Sequence, residues 1–304
     1  SAERTAVCCL SSVNLEEYDE WCDNDQFIPD LVRMLDNVLT YFIDNAPDEL
    51  YRAKLSAERE RSIGLGAMGF HAYLQRQDIP FESMWAASSN HTMFKRIKSE
   101  AVRATRQLAE ERGECPDGIG YGVRNAHLLA VAPNASSSII CGNTSPSIEP
   151  YRANAFTQKT KSGSSLLKNE YLEHALQELE MDTDEVWSSI MTSGGSVQHL
   201  DFLDQHTKDV FKTGVEIDQK WVIQHAADRQ QYICQSQSLN VFFPANVSKS
   251  ELHAIHMRAW KKGVKTLYYL RSEAMKRAEN VSDKVLRQYV LDSIDENECL
   301  ACEG

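Results

Sequence analysis

Apolar residues recur at helical spacing in several stretches of the chain. Residues 30–44 carry a stripe that repeats every three or four positions, which predicts an amphipathic helix ending near Pro47. A similar stripe over 93–108 predicts a helix that ends before Gly113. Two further helices are predicted at 166–179 and 217–233.

Short apolar runs lie between these stripes and are too short to be helices of their own. They predict buried strands at 5–10, 128–133, 239–243 and 266–270. Between the last two, Ser248 stands three residues before Glu251, the spacing of a capping box, and predicts a helix that stops at Gly263. Helices alternating with short buried strands indicate an α/β fold with a parallel sheet.

The composition is that of an ordinary globular chain. Of its 304 residues, 42% are hydrophobic and 25% are charged, which excludes a disordered or collagen-like protein. Acidic residues outnumber basic ones by 44 to 32, and the formal charge of -12 argues against a nucleic-acid polymer as partner. No apolar run is long enough to span a membrane and no signal peptide is present, so we expect a cytoplasmic protein.

The two ends of the chain differ from its middle. The first residue is Ser1 rather than Met, and a predicted strand follows almost at once, so we expect a piece of a longer whole. The acidic stretch at the other end has no hydrophobic pattern, and we expect a mobile tail. The domain prediction is therefore a folded unit over 1–280 and a flexible tail over 281–304.

A glycine motif invites a nicotinamide or flavin interpretation. Gly64, Gly66 and Gly69 spell G-x-G-x-x-G, but the stretch before them is polar and favours a helix rather than the strand that a dinucleotide fingerprint needs. We favour a structural role, in which small residues let a helix pack closely on the sheet. A nicotinamide-dependent oxidoreductase remains the minor enzymatic alternative.

Residues 133–150 form a loop rich in serine and threonine after a predicted buried strand. Hydroxyl groups and backbone N–H groups at the end of a strand can cradle a small phosphate, although a plain polar loop has the same composition. Further along, Tyr268 and Tyr269 are adjacent on a predicted strand, so their rings should face opposite sides unless the chain bends there.

The chain has eight cysteines, which we expect to be mostly thiols in a reducing compartment. Cys299 and Cys302 form a C-x-x-C pair without the two further ligands of a zinc site, so they fit a mobile dithiol that exchanges with another disulfide. Cys8 and Cys9 lie on a predicted strand, where cysteines are normally buried and inert. No histidine spacing indicates a metal site, and we predict none.

Six motifs in this order resemble the C-terminal half of the catalytic large subunit of aerobic, class I ribonucleotide reductase. They are VCCLSSVNL, ERSIGLGAMGF, APNASSSIICGNTSPSIEP, AADRQQYICQSQSLNVFF, KTLYYLR and the terminal C-x-x-C. The resemblance implies the second five-stranded parallel half of a ten-stranded α/β barrel, with helices packed outside. It also implies the reduction of ribonucleoside diphosphates to deoxyribonucleoside diphosphates.

The resemblance assigns a role to each candidate residue. It implies that the substrate diphosphate binds at Pro133, Asn134, Ala135, Ser136 and Ser137. Cys8 would be one of two cysteines that reduce the ribose and end as a disulfide, whereas Cys9 would not be redox-active. Tyr268 and Tyr269 would relay a radical from a metal-containing small subunit. Cys299 and Cys302 would re-reduce the disulfide and be recharged by thioredoxin or glutaredoxin, with no cofactor bound in this chain.

Some of the family's machinery is absent from the chain. The radical cysteine of the family lies in an N-x-C-x-E segment, but the N-x-C formed by Asn297 and Cys299 has Ala301 in place of the glutamate. The second redox cysteine and the allosteric regions are missing too. We therefore expect a split or fragmentary large subunit that needs an N-terminal half and is inactive alone. The non-enzymatic alternative is an interaction subunit that keeps the barrel residues only as a scaffold.

Overall fold

Eleven α-helices and six β-strands make up the described part of the chain, residues 1–160 and 163–272 of this computed structural model. The strands are β1 (Cys9–Asn14), β2 (Ile63–Met68), β3 (Ala155–Thr160), β4 (Gly163–Lys168), β5 (Val241–Phe243) and β6 (Leu270–Ser272). The helices are α1 (Tyr18–Trp21), α2 (Phe27–Asn45), α3 (Tyr51–Glu60), α4 (Phe70–Arg76), α5 (Met84–Arg112), α6 (Ser137–Ile140), α7 (Glu170–Glu178), α8 (Asp184–Thr192), α9 (Gln205–Val210), α10 (Gln219–Gln230) and α11 (Lys249–Lys261).

The long helices form where the apolar stripes predict them. The stripe over 30–44 lies in α2, the stripe over 93–108 lies in α5, and these two helices pack against each other. Helix α5 ends at Gly113, whose φ of 85° suits glycine at a helix end. The capping prediction is confirmed for α11, because the Ser248 hydroxyl accepts the Glu251 N–H at 3.1 Å.

The segments predicted as strands pair in parallel, as expected, but all four differ from the predicted bounds, and the run 239–243 forms a strand only from Val241. β1 pairs with β2 from Cys9↔Ile63 to Asn14↔Met68, so the predicted strand at 5–10 lies several residues too early. The run 128–133 contributes only single parallel bridges, Leu65↔Leu129 and Val131↔Gln237, and forms no strand of its own. β6 pairs with β5 but starts only at Leu270, the last residue of the predicted strand at 266–270.

An antiparallel hairpin of β3 and β4 occupies part of a region that we predicted to be helical. The predicted helix at 166–179 is wrong over its first residues, which belong to β4. The helix begins only at α7, because the Asn169 side chain accepts the N–H groups of Tyr171 and Leu172 and caps it. The hairpin and α7–α9 enclose a second apolar core around Trp187.

The glycine motif runs from β2 into the turn before α4, where Gly69 is the N-cap residue with a φ of 80°. Gly64 and Gly66 are both residues of β2, so only Gly69 lies in the turn that carries all three glycines of a dinucleotide fingerprint. A Cβ atom at Gly66 would lie 2.4 Å from the Ala130 carbonyl oxygen, and one at Gly64 would lie 2.8 Å from Cys8 Sγ. Small residues are needed here because neighbouring chain segments approach, not because a helix packs on the sheet.

A buried ionic cluster ties α2 to the segments that flank β2. Asp36 is fully buried and accepts hydrogen bonds from Arg61 Nε at 2.7 Å and Arg112 Nη1 at 2.8 Å. Arg124 lies 3.5 Å away, and the Asn125 amide also donates to the same carboxylate. Burial favours the neutral acid, but the hydrogen bond and charge of Arg61 and the other guanidinium groups lower the pKa of Asp36.

No helix in the described ranges is both long and apolar enough to cross a membrane.

Candidate active site

A cleft of about 330 Å³ runs along the strand segments of the sheet. Its walls come from chain segments that are far apart in the sequence, and the parallel pairing brings them together. The lining residues are Leu10 of β1, residues 130–133, residues 235–238, Thr266 and Tyr268. The cleft therefore joins the region after Cys8, the beginning of the serine loop and the tyrosine pair.

Cys8 stands immediately before β1 and is exposed, contrary to the expectation of a buried strand cysteine. Its Sγ lies 3.8 Å from Gln235 Oε1, and the Gln235 amide donates to the Ile63 carbonyl oxygen at 2.8 Å, which holds this side chain in place. Partial burial of the thiol, with smaller contributions from Cys9 and Cys234, raises the pKa of Cys8. The thiol is thus mostly protonated at neutral pH and able to give up a hydrogen.

Cys9 differs from its neighbour although the two are adjacent. It is the first residue of β1, is half-buried and packs against the main apolar core. Burial raises the pKa of the Cys9 thiol as well. Of the two, Cys8 is the thiol whose hydrogen-bond partner lines the cleft.

The beginning of the serine loop is fixed to β1 by a short chain of hydrogen bonds. The Ser12 hydroxyl donates to Asn134 Oδ1, and Asn134 Nδ2 donates to the Ser137 hydroxyl, both at 3.1 Å. Asn134 has a φ of 55°, which turns the chain sharply after Pro133. Ala135 and Ser136 are exposed at the tip of this turn, so their backbone and hydroxyl groups are accessible to a ligand.

Tyr268 and Tyr269 contact each other, because the chain at these residues is not yet in a strand. Their ring centroids are 4.2 Å apart with an angle of 57° between the planes, so the expectation of rings on opposite sides does not hold. The Tyr268 N–H donates to the Leu239 carbonyl oxygen at 2.9 Å, and the Tyr269 N–H donates to Asn240 Oδ1 at 3.0 Å. The guanidinium of Arg271 lies 4.8 Å from the centre of the Tyr269 ring.

Comparison with known proteins connects these features to one family. A family model described as the barrel domain of ribonucleotide reductase matches residues 1–118 and 116–270. The chain belongs to the ribonucleotide reductase barrel-domain family. The resemblance seen in the six motifs is thereby confirmed, and with it a fold of the α/β barrel type.

Several relatives of this reductase family match over nearly the whole chain. The large subunit of invertebrate iridescent virus 6 is 53% identical over 96% of this chain and 30% of its own length. A putative large subunit of frog virus 3 is 50% identical over 100% of this chain and 53% of its own length. Among solved structures, the class Id ribonucleotide reductase alpha subunit of Actinobacillus ureae is 40% identical with a TM-score of 0.85, covering 92% of this chain and 52% of its own. The chain thus spans between 30% and about half of the length of these relatives.

Three polar residues in or connected to this candidate site were missed by the sequence reasoning. Gln235 and Asn240 lie in the QSQSLN stretch, which served only as part of a recognised motif, and Glu149 lies at the end of the serine loop. Burial raises the pKa of Glu149 to about 8, while a hydrogen bond from Asn240 and the charge of Arg271 act in the opposite direction. Polar residues within otherwise buried segments were the one signal that could have singled them out.

The remaining candidates fall outside the part of the chain that the structure describes. Cys299, Cys302 and the tail over 281–304 lie beyond residue 272, so their predicted redox role stays a prediction. Within the described residues, no group of three or more histidine, cysteine, aspartate or glutamate side chains could hold a metal ion.

Proposed function

We propose that this chain supplies the ribose-reducing thiol, the diphosphate loop and the radical relay of a class I ribonucleotide reductase large subunit. The observation that carries the proposal is the shared cleft, since Tyr268, Pro133 and Gln235, the partner of Cys8, all line it. Family membership supports the same conclusion. The reaction would convert ribonucleoside diphosphates to deoxyribonucleoside diphosphates, and we place it in the cytoplasm, where thiols stay reduced.

The chemistry assigned to Cys8 is a two-electron reduction. One of the two thiol hydrogens replaces the hydroxyl on the ribose 2′ carbon, the other leaves with that hydroxyl as water, and the two sulfurs become a disulfide. Cys8 is one of these thiols, and its raised pKa keeps the hydrogen on sulfur until the reaction needs it. The second thiol and the radical cysteine would come from the part of the relatives that this chain does not match.

The serine loop would hold the substrate through its diphosphate. Pro133, Asn134, Ala135, Ser136 and Ser137 form a turn in which Asn134 is tied both to Ser12 and to Ser137. Because Ser12 belongs to β1, the turn keeps a fixed relation to the strand that Cys8 precedes. A diphosphate on this turn would thus set the distance from the ribose to the thiol.

We also propose that the sheet is the second five-stranded half of a ten-stranded barrel. β1 pairs in parallel with β2, and a single bridge joins Leu65 of β2 to Leu129. A second bridge joins Val131 to Gln237, and β5, a few residues after Gln237, pairs in parallel with β6. This order supports five adjacent parallel segments. The other half would come from the N-terminal part of the large subunit, with a metal-containing small subunit supplying the radical.

The function is tested by substituting the two adjacent cysteines in the assembled enzyme. We expect Cys8→Ser to abolish formation of deoxyribonucleoside diphosphate, because a hydroxyl cannot form the disulfide. Cys9→Ser, which makes the same chemical change one residue away, should keep turnover near the wild-type value. Product formation is measured with the small subunit and a dithiol present. Full turnover by Cys8→Ser would instead favour the non-catalytic scaffold role.

We expect the effect on turnover of removing the tail dithiol to depend on the reductant. Replacing both Cys299 and Cys302 by serine should reduce thioredoxin-supported turnover by about a hundredfold or more, since thioredoxin would lose the tail dithiol that passes its electrons to the disulfide of Cys8. Turnover with a small dithiol should be largely spared, because Cys8 is exposed. The two reductants are compared on the same preparation, and an equal loss with both would contradict the shuttle.

A further inference from the structure

The carboxyl group of Glu149 is buried and only half satisfied. The residue is 4% exposed, and its Oε1 accepts a hydrogen bond from Asn240 Nδ2 at 3.0 Å. Its Oε2 has no hydrogen-bond partner among the residues that the structure describes. A buried carboxyl with an unmatched oxygen is costly, so its presence here calls for a physical explanation.

Asn240 connects this carboxyl to the tyrosine pair. Its Oδ1 accepts the main-chain N–H of Tyr269 at 3.0 Å, and an N–H group can only donate, so the amide orientation is fixed. The amide nitrogen must therefore face Glu149. The Tyr269 carbonyl oxygen accepts the Val241 N–H at 3.0 Å, so the side chain of Asn240 and the main chain of β5 hold the same residue.

Arg271 interacts with both Tyr269 and Glu149. Its guanidinium lies 4.8 Å from the Tyr269 ring centre, and its positive charge favours ionisation of Glu149. Among the described residues, Arg271 is the one charged group that acts on this carboxyl, and Asn240 is its one hydrogen-bond partner. Burial outweighs both and raises the pKa of Glu149 to about 8, so the protonated form predominates at neutral pH.

We propose that Glu149 is a positioning residue for the tyrosine pair, fixing the main chain of Tyr269 through Asn240 and thereby its ring contact with Tyr268. The neutral acid does this without competing for Arg271. An ionised Glu149 would attract the guanidinium strongly in this poorly solvated region and draw it from the Tyr269 ring. The inference rests on the proposed radical relay, which it deepens.

The test compares Glu149→Gln with Glu149→Ala in the assembled enzyme on both sides of pH 8. Turnover and the tyrosyl radical detected by electron paramagnetic resonance are both measured. Wild-type radical transfer should fall as pH rises through about 8, the pKa at which Glu149 loses its proton. Glu149→Gln keeps an acceptor for Asn240 and cannot ionise, so it should retain most of the turnover and lose this alkaline decline.

Glu149→Ala leaves the Asn240 amide nitrogen unpaired in a buried site. We expect it to lower radical transfer about tenfold at every pH, with the KM for substrate unchanged. The matched control is Glu16→Gln, another buried glutamate, whose hydrogen bond comes from Tyr171. This control should keep the alkaline decline. Ionisation of Cys8 on the alkaline side is common to all variants and cancels in the comparison.

The outcomes separate the inference from the proposed function. Identical pH profiles for wild type and Glu149→Gln would overturn the positioning role, even if Glu149→Ala fails to fold. If Tyr268→Phe abolishes turnover in the same assay while both Glu149 variants behave as wild type, the relay stands and the inference alone is wrong. Retained turnover in Tyr268→Phe would overturn both.

Discussion

Replacing Tyr268 or Tyr269 by phenylalanine is expected to abolish turnover and leave the fold intact. The substitution removes only the phenolic hydroxyl, and a phenyl ring cannot pass on a hydrogen atom. The ring contact of 4.2 Å between centroids should survive, because it depends on the ring atoms and on main-chain hydrogen bonds. We expect a loss of about a thousandfold or more, equivalent to about 4 kcal/mol or more of activation barrier.

The measurement is deoxyribonucleotide formation in the assembled enzyme, together with thermal unfolding of each variant. Tyr232→Phe is the matched control, since its hydroxyl hydrogen-bonds to the His91 ring at 2.9 Å and lies outside the cleft lining. This control loses a hydrogen bond and so should cost some stability while turnover stays near wild type. Substantial turnover in either site variant would reject the relay.

We expect removal of the Asp36 carboxylate to lower the free energy of unfolding by several kcal/mol. Asp36→Ala would leave Arg61, Arg112 and Arg124 around a buried site without their counter-charge. Losing one partner of a buried ion pair typically costs about 3–5 kcal/mol, because the remaining charge is neither paired nor hydrated. Thermal or urea unfolding at neutral pH measures the difference from wild type.

The same carboxylate predicts how stability depends on pH. Its pKa is lower in the folded protein than in the unfolded chain, so its contribution is complete above the unfolded value of about 3.9. The contribution is lost as pH falls through the lower folded value. Asp36→Ala should therefore lose less stability than wild type when both are acidified over this range.

A surface carboxylate provides the control for Asp36. Asp117 forms ion pairs with Arg4 and Arg59 at partly exposed positions, where water screens the charges. Asp117→Asn should change the unfolding midpoint far less than Asp36→Ala. Equal effects of the two substitutions would contradict the assignment of the buried cluster as a main stabilising element.

The sequence predicted the helices more accurately than the strands. The stripe over 30–44 predicts α2, and the Ser248 cap is found where expected. These signals are local, because a helix makes its hydrogen bonds within a few residues. The start of β1 at Cys9, by contrast, is set by pairing with Ile63, far along the chain. The β3–β4 hairpin was missed, since apolar residues at 166 and 167 suited a helix as well as a strand.

By itself the sequence determined the family, through six ordered motifs, and named Cys8, the serine loop and the tyrosine pair as candidates. Only the tertiary structure decided that Cys8 is exposed beside Gln235 and that the two tyrosine rings are in contact. It also decided that Asn240 connects Glu149 to the main chain of Tyr269 by hydrogen bonds. The physical reason is that motifs record which residue types occur. Burial, ring contact and long-range hydrogen bonds depend on which distant segments the fold brings together.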